Sequence, residues 1–438
     1  MNQNIQHTPS RDNRPAASAG ETRPLVGLTL EELRKVAAEC GLPRFAATQI
    51  AKWLYDKRVE SIDQMTDISK AGRARLAECG YTVGREAPLS EARSTDGTVK
   101  YLFRGAPGRD VEAVYIPDRD RATLCVSSQA GCKMNCTFCM TGRQGFHGNL
   151  TAHQILNQVL SIPASESLTN LVFMGMGEPT DNLGPVLQAI EILTAKWGLA
   201  WSPKRITVSS IGKLQPLQRL LNETKVHIAI SIHSPYPSER ASLMPVEKAY
   251  PIKEVVELLR GYDFSHQRRL SFEYIMFRGV NDSPRHCHEL ARRLHGLDCR
   301  VNLIRFHAIP GRDLRTSDPE RMEQFRDMLN ARGITATIRD IDSNPQNITF
   351  QEVEAAQLPN VLQDVDYAVI NSNYAIEAGI HPVEDSLAIE GSASSYGNIL
   401  AVKAGNEDSG KTKALKAALE SRQVADYISE TYGGAVVS

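Results

Sequence analysis

The stretch Gly131-Cys132-Lys133-Met134-Asn135-Cys136-Thr137-Phe138-Cys139-Met140-Thr141-Gly142 carries the strongest signal for the fold. Its three cysteines follow C-x3-C-x2-C spacing, which is typical of iron–sulfur sites. A four-iron cluster normally takes four thiolates, so three ligands leave one iron open to another molecule. A zinc site is the alternative, although structural zinc takes a fourth protein ligand. The stretch therefore predicts a metal centre with one open position.

The composition is that of a globular protein with two or three domains. Of 438 residues, 42% are hydrophobic and 23% charged, as in ordinary soluble domains. No apolar run reaches the roughly 18 residues of a membrane span, and the polar start, Met1 to Glu21, lacks the apolar core of a signal peptide. The eight cysteines show no disulfide framework. We expect a cytoplasmic monomer without membrane association, preceded by a disordered tail (residues 1–24).

Charge divides the chain into two parts. Residues 340–438 contain five basic and fifteen acidic residues, a net charge of −10, so the residues before them carry +9. A basic body suggests an anionic partner such as RNA, although a solvated surface explains the same excess. The change of sign near residue 340 predicts two modules of different origin.

Periodicity predicts an α/β protein. Thr29-Leu30-Glu31-Glu32 is a capping box, and helical patterns through Ala46–Lys57 and Ile62–Cys79 predict a helical domain over residues 25–84. A β-rich link follows over residues 85–121. From residue 122 to 339, apolar strands alternate with helices, which predicts a partial, open (β/α)6 barrel. The strand candidates are Thr169–Phe173, Arg205–Ser209, Val226–Ser231, Leu270–Ile275, Arg300–Ile304 and Thr335–Ile338.

Three strand ends carry polar or glycine-rich sequences. They are Met174-Gly175-Met176-Gly177-Glu178-Pro179, Ser209-Ser210-Ile211-Gly212 and Ser231-Ile232-His233-Ser234. Each is weak evidence alone, because Gly, Ser and His are common in turns. Ligands bind at the carboxyl ends of parallel strands, so three such ends behind a cysteine triad predict a binding site.

Taken together, these residues resemble the radical S-adenosylmethionine superfamily and, within it, the RlmN/Cfr-type RNA adenine C2-methyltransferases. The resemblance covers about residues 25–339. The narrower match rests on Val111–Pro117, Cys125–Cys132, Gly142–Phe146, Met174–Pro179 and Ser231–His233.

The resemblance implies a role for each matching position. It implies a 4Fe-4S cluster on Cys132, Cys136 and Cys139, and S-adenosylmethionine bound to the open iron. The implied cofactor-binding residues are Gly177, Glu178, Ser209, Ser231, Ile232, His233 and His307, the last standing where the family often has Asn. Cys125 would be the resolving cysteine and Glu112 the general base; taken alone, each reads as an ordinary strand residue.

The family methylates C2 of an adenine in 23S rRNA and in certain tRNAs, using an external electron donor. An unactivated C–H bond calls for radical chemistry, which the cofactor supplies. The family first methylates a C-terminal cysteine, and the resolving cysteine later forms a disulfide with it to release the product. The resemblance therefore also implies a transient disulfide bond.

The match to this family ends after Gly333-Ile334-Thr335-Ala336-Thr337-Ile338-Arg339, and no cysteine follows Cys299. Residues 340–438 resemble instead the C-terminal part of the methionine-binding lipoproteins of the NlpA/MetQ type. That resemblance rests on Glu354–Pro359, Asp366–Ala375 and Tyr432–Val437. One lobe of a two-lobed binding protein supplies half a ligand site, here around Asn371 or Asn373.

We interpret the chain as a methyltransferase lacking its end, fused to a binding-protein fragment. We expect it to bind the cluster but not to form C2-methyladenine in cis. The alternatives are a catalytically inert RNA- or ribosome-binding relative, a non-functional gene fusion, and a methionine-binding module.

Overall fold

The structure is a computed structural model that describes residues 22–105, 108–264, 268–307, 309, 313–339 and 378. The chain divides into two units, Met1–Asp342 and Ser343–Ser438, and the fold below is that of the first. The expectations for the N-terminal tail and for residues 340–438, including Asn371 and Asn373, lie outside the described residues.

Three helices, α1 (Leu30–Glu39), α2 (Ala46–Ala51) and α3 (Lys70–Glu78), begin the described chain. The Thr29 capping box is confirmed, because the Thr29 hydroxyl accepts from the Glu32 N–H at 3.2 Å and the Glu32 carboxylate accepts from the Thr29 N–H at 3.0 Å. The helical pattern over Ile62–Cys79 is wrong in its first part. Ile62–Gln64 is a single 3-10 turn, and α3 starts only where the Ser69 hydroxyl caps the Gly72 N–H at 3.1 Å.

Fourteen strands lie within the described residues. They are β1 (Arg23–Pro24), β2 (Tyr81–Thr82), β3 (Ser90–Arg93), β4 (Val99–Arg104), β5 (Asp110–Asp118), β6 (Arg121–Cys125), β7 (Gln129–Gly131), β8 (Phe146–Asn149), β9 (Asn170–Phe173), β10 (Ile206–Ser210), β11 (His227–Ser231), β12 (Leu270–Met276), β13 (Arg300–Arg305) and β14 (Thr335–Arg339). The pairs β1–β2 and β7–β8 stand apart from the main sheet.

The main sheet has ten strands in the order β14-β13-β12-β11-β10-β9-β6-β5-β4-β3. Strand β6 and strands β9 to β14 are parallel, whereas β3 to β5 extend the sheet antiparallel. The open α/β architecture is confirmed. The described sheet contains seven parallel strands rather than six, because Arg121–Cys125, which is not among the strand candidates predicted from the sequence, pairs with β9.

The remaining helices lie in the connections between successive strands after β7. They are α4 (Met140–Arg143), α5 (Ala152–Leu160), α6 (Leu183–Thr194), α7 (Leu214–Glu223), α8 (Pro237–Leu243), α9 (Ile252–Arg260), α10 (Pro284–Leu294) and α11 (Pro319–Asn330). Buried residues of these helices and one face of the sheet form a continuous apolar core. In the part of the chain that the structure describes, no helix is both long and apolar enough to cross a bilayer.

The strand register gives the opposite face of the sheet its polar character. Paired residues on neighbouring strands point to the same face, and side chains along a strand alternate. Two runs of such pairs share the face opposite the core. One runs Val114–Cys125–Val172–Thr207, and the other runs from Ser231 through Glu273 and Asn302 to Thr337. Of these eight positions, five are partly buried, two are buried and one is exposed, so this face is more open to solvent than the core face.

Candidate active site

The cysteine loop connects β7 to β8, which pair as an antiparallel hairpin. Gly131 has φ +73°, and a Cβ there would lie 1.8 Å from the carbonyl oxygen of Gly145, so only glycine fits. The Cys132 N–H donates to that same carbonyl at 2.9 Å. Cys139 is the residue before α4, and its N–H donates to the Cys136 carbonyl at 3.2 Å. Backbone contacts therefore hold the three cysteines in one compact loop.

The thiols of the loop influence one another. Burial, with the neighbouring Cys139 thiol and the Glu178 carboxylate adding to it, raises the pKa of Cys132 to about 11. Burial and the other two thiols raise the pKa of Cys136 to about 12, and only the Arg240 guanidinium opposes this shift. Three neighbouring thiols, of which Cys136 is buried and the other two are partly buried, repel one another as anions, so they favour a cationic group that takes up their charge.

The donor set of the loop agrees with an iron–sulfur cluster. Its three thiols are soft sulfur ligands within one loop, and the thiolates of such a cluster each bind a different iron. A structural zinc ion would take a fourth protein ligand. The three thiols therefore fit the cluster that the sequence resemblance implies.

The loop after β9 lies directly against the segment that leads into the cysteines. Gly177 has φ +97°, and a Cβ there would lie 2.5 Å from the Gln129 Cβ. The Ser128 and Gln129 N–H groups both donate to the Met176 carbonyl, at 2.9 and 3.1 Å. Glycine at position 177 is thus required by close packing as well as by backbone conformation.

Glu178 is almost completely buried at the end of β9. Its carboxylate accepts from the backbone N–H groups of Thr180 and Ile211, each at 3.1 Å, and from the Thr180 hydroxyl. Burial raises the pKa of Glu178, and these hydrogen bonds oppose the rise. Each carboxylate oxygen has two lone pairs, so the group still has capacity for a ligand amine.

The end of β11 places His233 in a buried, defined orientation. Its φ is +53°, an uncommon value for a side chain with a Cβ. The His233 Nδ1 accepts from the Ile275 N–H at 3.0 Å, so in the neutral ring the proton is on Nε2. Burial lowers the pKa of His233 to about 3, and its ring packs edge-on against Phe138 with centroids 4.8 Å apart.

The other cofactor-binding candidates lie on the same edge of the sheet, with different exposure. Ser209 and Ser231 belong to the polar face and are partly buried, whereas Ile232 is fully buried. His307, two residues beyond the end of β13, is exposed. The structure therefore brings six of the seven predicted residues to the ends of the neighbouring strands β9, β10 and β11, and His307 to a more exposed position after β13.

The two catalytic candidates share one face of the sheet. Cys125 pairs with Val114, so Glu112 lies two residues along the same face, at the diagonal spacing of about 7–8 Å. Glu112 is about half exposed and forms an ion pair with Lys100 at 3.0 Å. Burial raises the pKa of Cys125 to about 11, although the Met174 N–H lowers it somewhat. The expected disulfide bond is not supported, because all eight cysteines are free thiols.

Three supporting residues were not predicted from the sequence. Gln129 accepts from the Glu178 N–H at 2.9 Å and donates to Asp181 at 3.3 Å, which joins the cysteine segment to the loop after β9. Asp181 also binds Lys133 at 3.4 Å. Arg240 is a fully buried cation beside the end of β11. Gln129 lies inside the stretch that carries the family resemblance, whereas an isolated arginine such as Arg240 gives no pattern to detect.

Three family models match the chain. Residues 24–81 match the N-terminal domain of ribosomal RNA large subunit methyltransferases, and residues 126–291 match the radical SAM superfamily. Residues 325–438 match the NlpA lipoprotein family. The last match begins inside α11 and includes β14, which pairs with β13 in the sheet.

Full-length relatives give the same assignment. A probable dual-specificity RNA methyltransferase RlmN from Parabacteroides distasonis is 60% identical over 319 residues, covering 73% of this chain and 93% of the relative. The corresponding protein of Desulfotalea psychrophila is 41% identical and 90% covered. A radical SAM methyltransferase from Sphaerobacter thermophilus shares the fold with a TM-score of 0.68 at 40% identity, covering 72% of this chain and 94% of that structure. The chain therefore belongs to the RlmN family of radical SAM RNA methyltransferases, and its residues 325–438 are similar to the NlpA lipoprotein family.

Proposed function

We propose that this chain binds one 4Fe-4S cluster and S-adenosylmethionine, and that it cleaves S-adenosylmethionine without completing methyl transfer to adenine C2. The observation that carries the first part is the three-thiol loop beside the buried Glu178. When bound, the cluster supplies the single electron for reductive cleavage of the cofactor. An external donor must deliver that electron.

The protein residues bind and orient the cofactor. Cys132, Cys136 and Cys139 hold the cluster, and Glu178 accepts hydrogen bonds from the amino group of S-adenosylmethionine. Gly177 lets the loop after β9 pack against Gln129, and its backbone lies beside Glu178 at the proposed contact with the amino group. The neutral His233 ring has its remaining N–H on Nε2, so it offers one donor to the ligand without adding charge.

The remaining cofactor-binding residues complete the pocket in this proposal. Ser209 and Ser231 supply hydroxyl groups from the polar face, and Ile232 supplies an apolar wall. His307 borders the open side, where its imidazole can donate or accept one hydrogen bond.

Glu112 and Cys125 form the substrate side of the proposed site. They occupy one face of the sheet, as a base and a thiol acting on one adenine require. The Glu112–Lys100 ion pair is exposed, and such pairs contribute only about 0.2–1 kcal/mol. Substrate can therefore displace Lys100 at little cost.

The substrate class follows from family membership and is RNA, with 23S rRNA and tRNA as candidates. The finer step, methyl transfer, requires a methyl-carrying cysteine that is located after the last strand. No cysteine follows Cys299 in this sequence. Cys125 consequently has no partner thiol in cis with which to form the disulfide that releases product.

The test separates cofactor cleavage from methylation. The full chain, reconstituted anaerobically with iron and sulfide, is incubated with S-adenosylmethionine, dithionite and unmodified 23S rRNA or tRNA. We expect 5′-deoxyadenosine and methionine by mass spectrometry, and no C2-methyladenosine in nuclease digests of the RNA. The Parabacteroides relative in the same buffers serves as the positive control for methylation.

Two outcomes would contradict the proposal in different ways. C2-methyladenosine above the level of a no-protein sample would show that the missing cysteine is dispensable or replaced. The absence of 5′-deoxyadenosine from a protein that contains the cluster would favour the inert RNA-binding alternative.

A further inference from the structure

We infer that Arg240 and Glu247 form a buried charge pair that sets the reduction potential of the cluster from outside its ligand shell. Arg240 raises the potential, and Glu247 partly cancels that effect. The inference rests on the proposed cluster site, and it assigns the two residues a positioning and electrostatic role rather than a catalytic one.

Arg240 joins the two strand ends that flank the proposed cofactor. Its side chain is 0% exposed. It donates to the Ile211 carbonyl at 3.0 Å, beyond β10, and to the Ser231 and Ile232 carbonyls at 3.1 and 3.2 Å, at the end of β11. Its remaining contact is an ion pair with Glu247. The guanidinium is thus held in place, with every contact defined by the backbone or by one carboxylate.

Glu247 neutralises this cation incompletely. It is 4% exposed, and one oxygen accepts from Arg240 and from the Ile252 N–H at 3.0 Å. Its other oxygen, Oε1, is buried and has no hydrogen-bond partner in the described part of the chain. A buried carboxylate with an unpaired oxygen is costly, and the ion pair with Arg240 is the contact that stabilises its charge.

The pair lies against the cysteine loop. The Thr137 N–H, next to Cys136, donates to the Leu243 carbonyl at 2.9 Å, and Leu243 lies on α8 with Arg240. Cys136, Ile211, Leu243 and Met244 pack in one small buried apolar cluster. Charges act strongly across such a medium, because water does not screen them.

Adding an electron makes the cluster more negative, so a nearby cation stabilises the reduced form. Cluster potentials respond to net local charge and to hydrogen bonds around the site. Removing the Arg240 charge leaves the Glu247 anion and lowers the potential. Removing the Glu247 charge exposes the Arg240 cation and raises it. If the pair only braced the strand ends, both variants would lose stability, but their reduction potentials would not shift in opposite directions.

The experiment compares Arg240→Gln and Glu247→Gln in the full, reconstituted chain. The midpoint potential is measured by dye-mediated titration, with the reduced cluster followed by electron paramagnetic resonance. We expect a negative shift in Arg240→Gln and a positive shift in Glu247→Gln, each relative to the unaltered chain. Arg268→Gln is the matched control. Arg268 is also a buried arginine, but it lies just before β12 and donates to the Thr224 carbonyl at the end of α7.

The outcomes distinguish this inference from the proposed function. Shifts of one sign in both variants, or shifts no larger than that of Arg268→Gln, overturn the inference while leaving the cluster assignment intact. An unaltered chain that binds no iron and sulfide overturns both. If Arg240→Gln does not fold, Glu247→Gln decides alone: a positive shift supports the inference, and no shift or a negative one overturns it.

Discussion

The Glu178 carboxylate accepts a hydrogen bond from the Ile211 N–H at 3.1 Å, so one side chain joins the ends of β9 and β10. The same carboxylate caps the turn at Thr180. The residue that we propose to bind the cofactor amine therefore also organises the floor of the pocket. Substitutions at Glu178 should affect both the stability of the fold and the affinity for the ligand.

Replacing Glu178 with Gln should lower both stability and cofactor affinity. An amide has one oxygen, so either the Ile211 or the Thr180 donor would face an NH2 group. Leaving a buried donor unpaired costs about 1–3 kcal/mol. Urea unfolding of the cluster-free chain and equilibrium binding of S-adenosylmethionine to the reconstituted chain measure the two effects. Glu166→Gln, on an exposed turn, is the control, and unchanged affinity in Glu178→Gln would remove the binding role.

Replacing Gly177 with Ala should prevent correct formation of the pocket. The new Cβ would lie 2.5 Å from the Gln129 Cβ, at a backbone φ of +97°. Gly184→Ala is the matched control, because a Cβ at position 184 in α6 meets nothing within 4 Å and alanine favours a helix by roughly 0.5–1 kcal/mol. The melting temperature should fall in Gly177→Ala and rise slightly in Gly184→Ala. Equal melting temperatures would show that the loop after β9 tolerates a side chain.

Replacing Cys136 with Ala should abolish cluster assembly. We expect the unaltered chain to take up about four irons and four sulfides, and Cys136→Ala to lose most of both. Cys287→Ala serves as the control, because Cys287 is also a buried thiol but lies in α10, away from the cysteine loop. Iron and sulfide analysis with visible absorption provides the measurement. Normal iron and sulfide content in Cys136→Ala would exclude Cys136 as a ligand.

Buried histidine should make the cluster-free fold sensitive to mild acid. Burial lowers the pKa of His233 to about 3, below the ordinary value of about 6.5. Between these values the unfolded chain binds a proton that the folded chain excludes. Stability is thus fully present above about pH 6.5 and falls toward pH 3, by at most about 1.4 kcal/mol per pH unit for this group.

The variant that tests this pH dependence is His233→Asn. Asparagine tolerates the φ of +53°, and its side-chain oxygen can accept from the Ile275 N–H. Urea unfolding at about pH 7 and about pH 5 should show a smaller acid loss in this variant than in the unaltered chain. His227, whose pKa burial also lowers, to about 4, accounts for part of the remaining loss. An unchanged pH dependence would mean that His233 is solvated.

Much of the site was predictable because its residues come in short local patterns. The triad Cys132, Cys136 and Cys139 falls within one loop, and the sequence after β9 supplies a glycine and a carboxylate together. The exposed position of His307 and the Lys100 partner of Glu112 were not predictable, because they depend on contacts between separate strands. The role of Arg121–Cys125 as a seventh parallel strand was not predicted for the same reason. A short apolar run does not specify which strand it pairs with.

The sequence by itself determined the open α/β class and the absence of a cysteine after Cys299, and it predicted the cofactor types and the change of resemblance near residue 340. Those features depend on residue identity and local spacing. Only the tertiary structure decided that Glu112 and Cys125 share a face, that Glu178 joins two strands, and that Arg240 lies buried beside the cysteine loop. Strand register and burial arise from pairings between distant segments, and no local pattern in the chain specifies which charge ends up next to which thiol.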